Sequence, residues 1–151
     1  HIWSIKFMKN RVYRVIIQMI TIVTCLLTLL SCAKGPGPND MIKLSQDEIY
    51  FPADGGTIVI ESNFEVSFET VRDMDNNIIQ KDDIKRVYDE NHQCIAIECR
   101  WLKGTVTETD GSKLIKFDAE KNDSGKSRYL KVYVITPLTG KTIRIHQAGA
   151  E

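Results

Sequence analysis

The sequence predicts an all-β domain, an antiparallel β-sandwich of about seven strands. Beyond residue 40, apolar residues recur at every second position in short runs, as in Thr57-Ile58-Val59-Ile60-Glu61-Ser62 and at Leu130, Val132 and Val134. That period belongs to strands with one buried face. The runs are separated by turn-forming clusters such as Asp54-Gly55-Gly56, Asn122-Asp123-Ser124-Gly125 and Pro137-Leu138-Thr139-Gly140. Residues 41–149 suffice for one hydrophobic core and are too few for two.

Before the domain lies a segment of a different kind. Residues 15–30 are dominated by apolar side chains, Lys9, Arg11 and Arg14 precede them, and no acidic residue occurs before Asp40. A helix of about 16 residues reaches roughly 24 Å, short of the roughly 30 Å hydrocarbon core, so a signal segment fits better than an uncleaved membrane helix. The run ends in Leu29-Leu30-Ser31-Cys32, which resembles a bacterial lipobox. The resemblance implies a diacylglyceryl group on the Cys32 thiol, removal of residues 1–31, and acylation of the new amine. Two or more acyl chains would hold the protein stably at a membrane. The implied location is the cell envelope, lipid-anchored to the outer membrane, periplasmic or surface-exposed. Cys25 is apolar filler within the run. The sequence begins with His1, and Met8 is the better start, which would leave residues 1–7 as upstream sequence.

Residues 32–40 read as a tether, because glycine and proline alternate in Ala33-Lys34-Gly35-Pro36-Gly37-Pro38-Asn39-Asp40 and nothing there could enter a core. Lys34 resembles the start of surface-export signals in lipoproteins of gut-type bacteria, but the acidic residues that usually follow are missing. Both orientations on the outer membrane therefore stay open.

The strands follow in order. Residues 48–51 form an incoming strand that the Asp54-Gly55-Gly56 turn reverses into residues 57–62, where Ile58 and Ile60 share a face. Phe64, Val66 and Phe68 continue the alternation through residue 71. Residues 72–90 are polar, with Asp73, Asp75, Asn76, Asn77, Asp82 and Asp83, and read as a long loop with room for one short element. Residues 94–99 resume the period of two, with Ile95, Ile97, Cys99 and Trp101 on one face if the strand is regular. Residues 113–119 place Ile115 and Phe117 inward. Residues 127–136 place Leu130, Val132 and Val134 inward and Tyr129, Lys131 and Tyr133 outward. Residues 142–147 close the domain with Ile143 and Ile145 inward and Arg144 and His146 outward.

Four stretches together resemble a BACON domain. They are Phe51-Pro52-Ala53-Asp54-Gly55-Gly56-Thr57-Ile58-Val59-Ile60-Glu61-Ser62-Asn63, Trp101-Leu102, Asn122-Asp123-Ser124-Gly125-Lys126-Ser127-Arg128, and Ile143-Arg144-Ile145-His146-Gln147-Ala148-Gly149. The resemblance covers nearly all of residues 41–149 and implies an immunoglobulin-like sandwich of the kind found in surface lipoproteins and polysaccharide-degrading proteins of gut-type bacteria. It also implies a carbohydrate-binding role, toward mucin-type or other glycans, or a spacer role between an anchor and an enzyme.

Charge and chemistry narrow the function further. The chain has 20 basic and 20 acidic residues, and losing Lys6, Lys9, Arg11 and Arg14 with the leader leaves the remainder mildly acidic. That is the wrong balance for tracking phosphates, so nucleic acid is not an expected partner. No Gly-x-Ser-x-Gly elbow occurs, and no carboxylate spacing singles out a glycosidase pair, so no catalytic residues are assigned and no enzyme is expected. The sequence ends two residues after Gly149, so an enzymatic partner is expected on a separate polypeptide.

Asp73-Met74-Asp75-Asn76-Asn77 places oxygens at alternate positions but has Ile78 where a calcium loop needs glycine and Ile84 where it needs glutamate; a polar hairpin tip is the better reading. His92, Cys94 and Cys99 lack a fourth zinc ligand at finger spacing. No metal and no cofactor are expected. Cys94 and Cys99 would lie roughly 16 Å apart on opposite faces of an extended strand, which favours two unpaired thiols, Cys99 buried.

The candidate ligand-binding residues are Tyr129, Lys131 and Tyr133. The two tyrosines stand about 13 Å apart on one strand face, where rings can stack on pyranoses while Lys131 bonds hydroxyls. Tyrosine is also favoured on sheet surfaces for pairing alone. Two readings follow: a lipid-anchored module that recognises glycan, supported by a contiguous aromatic patch, or a lipid-anchored structural or interaction domain holding a separate envelope protein, supported by isolated tyrosines.

Overall fold

Alternating burial generates the strands, and the turns decide which sheet each one joins. The computed structural model describes Gly37, Asn39 and residues 41–151. The leader, Cys32 and most of the tether lie outside the described residues. The strands are β1 (Glu48–Phe51), β2 (Gly56–Ser62), β3 (Ser67–Arg72), β4 (Ile84–Tyr88), β5 (Cys94–Cys99), β6 (Leu102–Thr109), β7 (Ser112–Ala119), β8 (Arg128–Ile135) and β9 (Gly140–Gln147), with a 3-10 turn at Lys81–Asp83. They form two sheets packed as a sandwich, one of order β1-β9-β8-β3 and one of order β2-β7-β6-β5-β4.

The core lies between the sheets. Leu130, Val132, Val134, Ile143 and Ile145 from β8 and β9 face Ile60, Ile97, Leu102, Ile115 and Phe117 from the other sheet, all essentially inaccessible. Phe68 meets Phe117 edge to face at 6.2 Å between centroids. Trp101 is buried, but in the Arg100-Trp101 turn between β5 and β6 and not on a strand, so alternation does not place it; the Arg128 guanidinium lies 5.1 Å from its ring centroid. Ile42 also enters the core, and Leu44 bridges Ser62, so ordered chain begins before β1.

Several expectations need correction. The Asp54-Gly55-Gly56 turn does not close a hairpin: β1 pairs with β9, in parallel, while β2 crosses to the other sheet and pairs with β7. The sandwich is therefore not purely antiparallel. Residues 72–90 hold the short element allowed for, the strand β4, which pairs with β5, and beyond it a 3-10 turn and two buried isoleucines, Ile79 and Ile84, so the stretch is more structured than a long loop. A few buried isoleucines anchor this polar stretch. The strand β6 shows an interrupted alternation: Leu102 is buried and Val106 packs against the core, but the inward position between them is Gly104, which packs on Phe68, Ile97 and Phe117. Its hairpin to β7 turns on Asp110 and Gly111, both at positive φ (52° and 80°), as a two-residue primed turn requires.

Strand β5 is not regular either. A register shift opposite Val87 and Tyr88 turns Cys94 inward, where regular alternation would have buried Ile95. Both Cys94 and Cys99 are buried and free, so the unpaired-thiol reading holds while the opposite-face reading does not. Burial pushes the Cys99 thiol above its ordinary value.

Candidate functional site

The outward face of the four-stranded sheet is assembled from cross-strand rows, and register fixes each row's membership. Tyr50 pairs with His146, which pairs with Tyr129. One step along, Glu48 pairs with Arg144, Arg144 with Lys131 and Lys131 with Arg72. The next row holds Thr142, Tyr133 and Thr70.

The first row is aromatic throughout. The Tyr50 and His146 rings stack with centroids 4.6 Å apart and planes 11° from parallel, and the Tyr129 ring meets His146 at 4.6 Å and 52°. Strand spacing makes this platform roughly 10 Å wide. Tyr50 is 65% exposed, so its ring is open to solvent. The His146 Nε2 lies 3.0 Å from Glu48 Oε1 and donates to it, which fixes the imidazole orientation. This hydrogen bond, with Arg144 nearby, holds the Glu48 carboxyl below its ordinary value.

Beside the platform runs a groove of about 510 Å³ whose lining includes Glu69, Arg72, Lys131, Tyr133 and Arg144. Tyr133 covers Gly140, where a Cβ would run into the tyrosine ring. Lys131 Nζ lies 5.9 Å from the Tyr129 ring centroid and 3.3 Å from Asn76 Oδ1. Arg72 donates from Nη1 to the Asn76 carbonyl at 3.0 Å. Asn76 sits at the tip of the 73–77 hairpin, where the Asp73 N–H donates to Asn77 O and Asp73 Oδ1 accepts from the Asn77 N–H. That segment is a polar hairpin tip.

The three residues singled out from the sequence are brought to this face but not into one patch. Tyr129 joins the aromatic row, Tyr133 belongs to the groove, and Lys131 stands between them. Tyr50, His146, Arg72 and Arg144 complete the site. The sequence does not mark Tyr50, because the parallel pairing of β1 with β9 leaves no local trace; the outward phase of His146 is legible, its two ring partners are not. Cys32 lies outside the described residues. Among the described residues, no group of three or more His, Cys, Asp or Glu side chains could hold a metal ion.

No family model matches the chain, and no curated protein matches it. A solved structure does: an NMR structure of a protein from Bacteroides thetaiotaomicron, 18% identical, covering 81% of this chain and 98% of that one, with a TM-score of 0.54. The likeness is to the fold alone.

Proposed function

We propose that the protein is a lipid-anchored, non-catalytic module of the cell envelope, BACON-like in kind, that binds carbohydrate on the outer face of its four-stranded sheet. The observation that carries this reading is the contiguous stack of Tyr50, His146 and Tyr129. An aromatic face buries the apolar C–H face of a pyranose, and a platform roughly 10 Å wide lies under about two sugar rings. Hydroxyl partners stand one row away, in Glu48, Arg144 and Lys131. A domain that merely holds a partner protein would not need rings stacked across three strands, and isolated tyrosines would have favoured it. The lipobox-like ending at Cys32 supports an anchor that keeps the module at the outer membrane.

Two experiments test the proposal. A glycan array probed with residues 37–151 is expected to give signals that Tyr50→Ala and Tyr129→Ala abolish together; signals unchanged in the double variant would remove the site. Mass spectrometry of the native product is expected to find a chain that starts at an acylated Cys32, and an unmodified leader still attached would remove the anchor.

A further inference from the structure

The second row of the sheet face places three cations side by side. Arg72, Lys131 and Arg144 occupy directly paired positions on β3, β8 and β9, so strand spacing confines them to roughly 10 Å. Like charges in such positions oppose folding. The domain has acidic residues in excess, yet only the outer end of this row is balanced, by Glu48 beside Arg144 at 3.6 Å. Asp47 also lies 3.7 Å from Arg144. Among the described residues, neither Arg72 nor Lys131 forms an ion pair with a carboxylate; both are held by Asn76, through its carbonyl and its side-chain oxygen. The groove lining adds one acid, Glu69, against the three cations. A neutral acceptor, Asn76, thus orients two cationic side chains toward the groove without quenching their charge.

We infer that the glycan is anionic, and that Arg72, Lys131 and Arg144 receive a carboxylate or sulfate carried by a sugar on or next to the aromatic platform. This rests on the carbohydrate reading above and specifies its ligand class. A planar guanidinium pairs two oxygens of a carboxylate or sulfate at once, and Lys131 adds a point charge between the two forks. Concave walls strengthen the attraction relative to an open surface.

The test uses the full chain in detergent with three polysaccharide probes: unsulfated chondroitin, chondroitin sulfate, and an uncharged galactan. Affinity for at least one anionic probe is expected to exceed that for galactan by on the order of tenfold, and to fall by on the order of tenfold in the R72Q/K131Q variant. Binding of both chondroitins alike would assign the carboxylate, and binding of the sulfated form alone the sulfate ester. The melting temperature of the R72Q/K131Q variant is expected to be unchanged or raised, because a repulsion is relieved, whereas cations that only support the fold would lower it. Galactan bound as tightly as either chondroitin, or anionic binding that survives R72Q/K131Q, overturns the inference and leaves carbohydrate recognition standing. No binding of any of the three probes overturns both.

Discussion

Tyr50 and His146 come from opposite ends of the domain and lie face to face, 4.6 Å apart and 11° from parallel, because the first strand runs parallel to the last. Hydrogen bonding between β1 and β9 thus does two things: it covers β9 with a new edge strand and builds an aromatic surface that neither strand has alone.

On the proposed reading, removing one ring from that surface is expected to weaken glycan binding more than it weakens the fold. Tyr50 is 65% exposed, so Tyr50→Ala is expected to lower glycan affinity by on the order of tenfold. Its stability cost should stay near 1 kcal/mol, as for an exposed aromatic pair. Calorimetric titration beside urea denaturation separates the two effects.

The Glu48 carboxyl is held below its ordinary value of 4.5 first by the His146 hydrogen bond. Its folded value being lowered, the contact stabilises the domain above the ordinary carboxylate range, and that contribution is lost as pH falls through the lowered folded value. An NMR titration of the side-chain carboxyl is expected to follow this order in the native protein. In His146→Ala the midpoint should move up toward 4.5.

Gln147 is 1% exposed and serves as a polar hub. Its Nε2 donates to the carbonyls of Glu120 (2.7 Å), Pro52 (3.2 Å) and Ala53 (3.3 Å), while Oε1 accepts from Arg128 Nε at 3.1 Å. These bonds tie the loop after β7 and the turn after β1 to the end of β9. Gln147→Leu keeps the volume but strands those groups, and is expected to destabilise the domain by about 3 kcal/mol in urea titrations.

Cys94 and Cys99 are 3% and 0% exposed and unpaired, and burial raises the Cys99 thiol. Both should resist a disulfide-exchange reagent in folded residues 37–151 and react together once the domain is unfolded. A bridge between them would give no free thiol even in denaturant.

Much of this fold is legible in the sequence, and the failures have physical causes. Where one face is buried and the other wet, as in Leu130, Val132 and Val134 against Tyr129, Lys131 and Tyr133, the alternation states both the strand and its orientation. It fails where an inward position is a glycine, as at Gly104, or where a register shift moves the phase, as at Cys94. Asp110-Gly111 is the signal that marks the β6–β7 hairpin where the alternation of β6 is interrupted. Pairing partners are the deeper obstacle. Tyr129, Lys131 and Tyr133 lie on one strand and are visible as a set. Tyr50, Arg144 and Arg72 join them only through register, which no local pattern records.

The most direct measurement is a chemical-shift titration of residues 37–151 with a glycan that scores on the array. Shifts are expected to concentrate on Tyr50, Tyr129 and His146 and to spread to Lys131 and Arg144, with the opposite sheet silent. Shifts confined to the exposed edge around Val87 and Tyr88 on β4, with the aromatic row unchanged, would contradict the account.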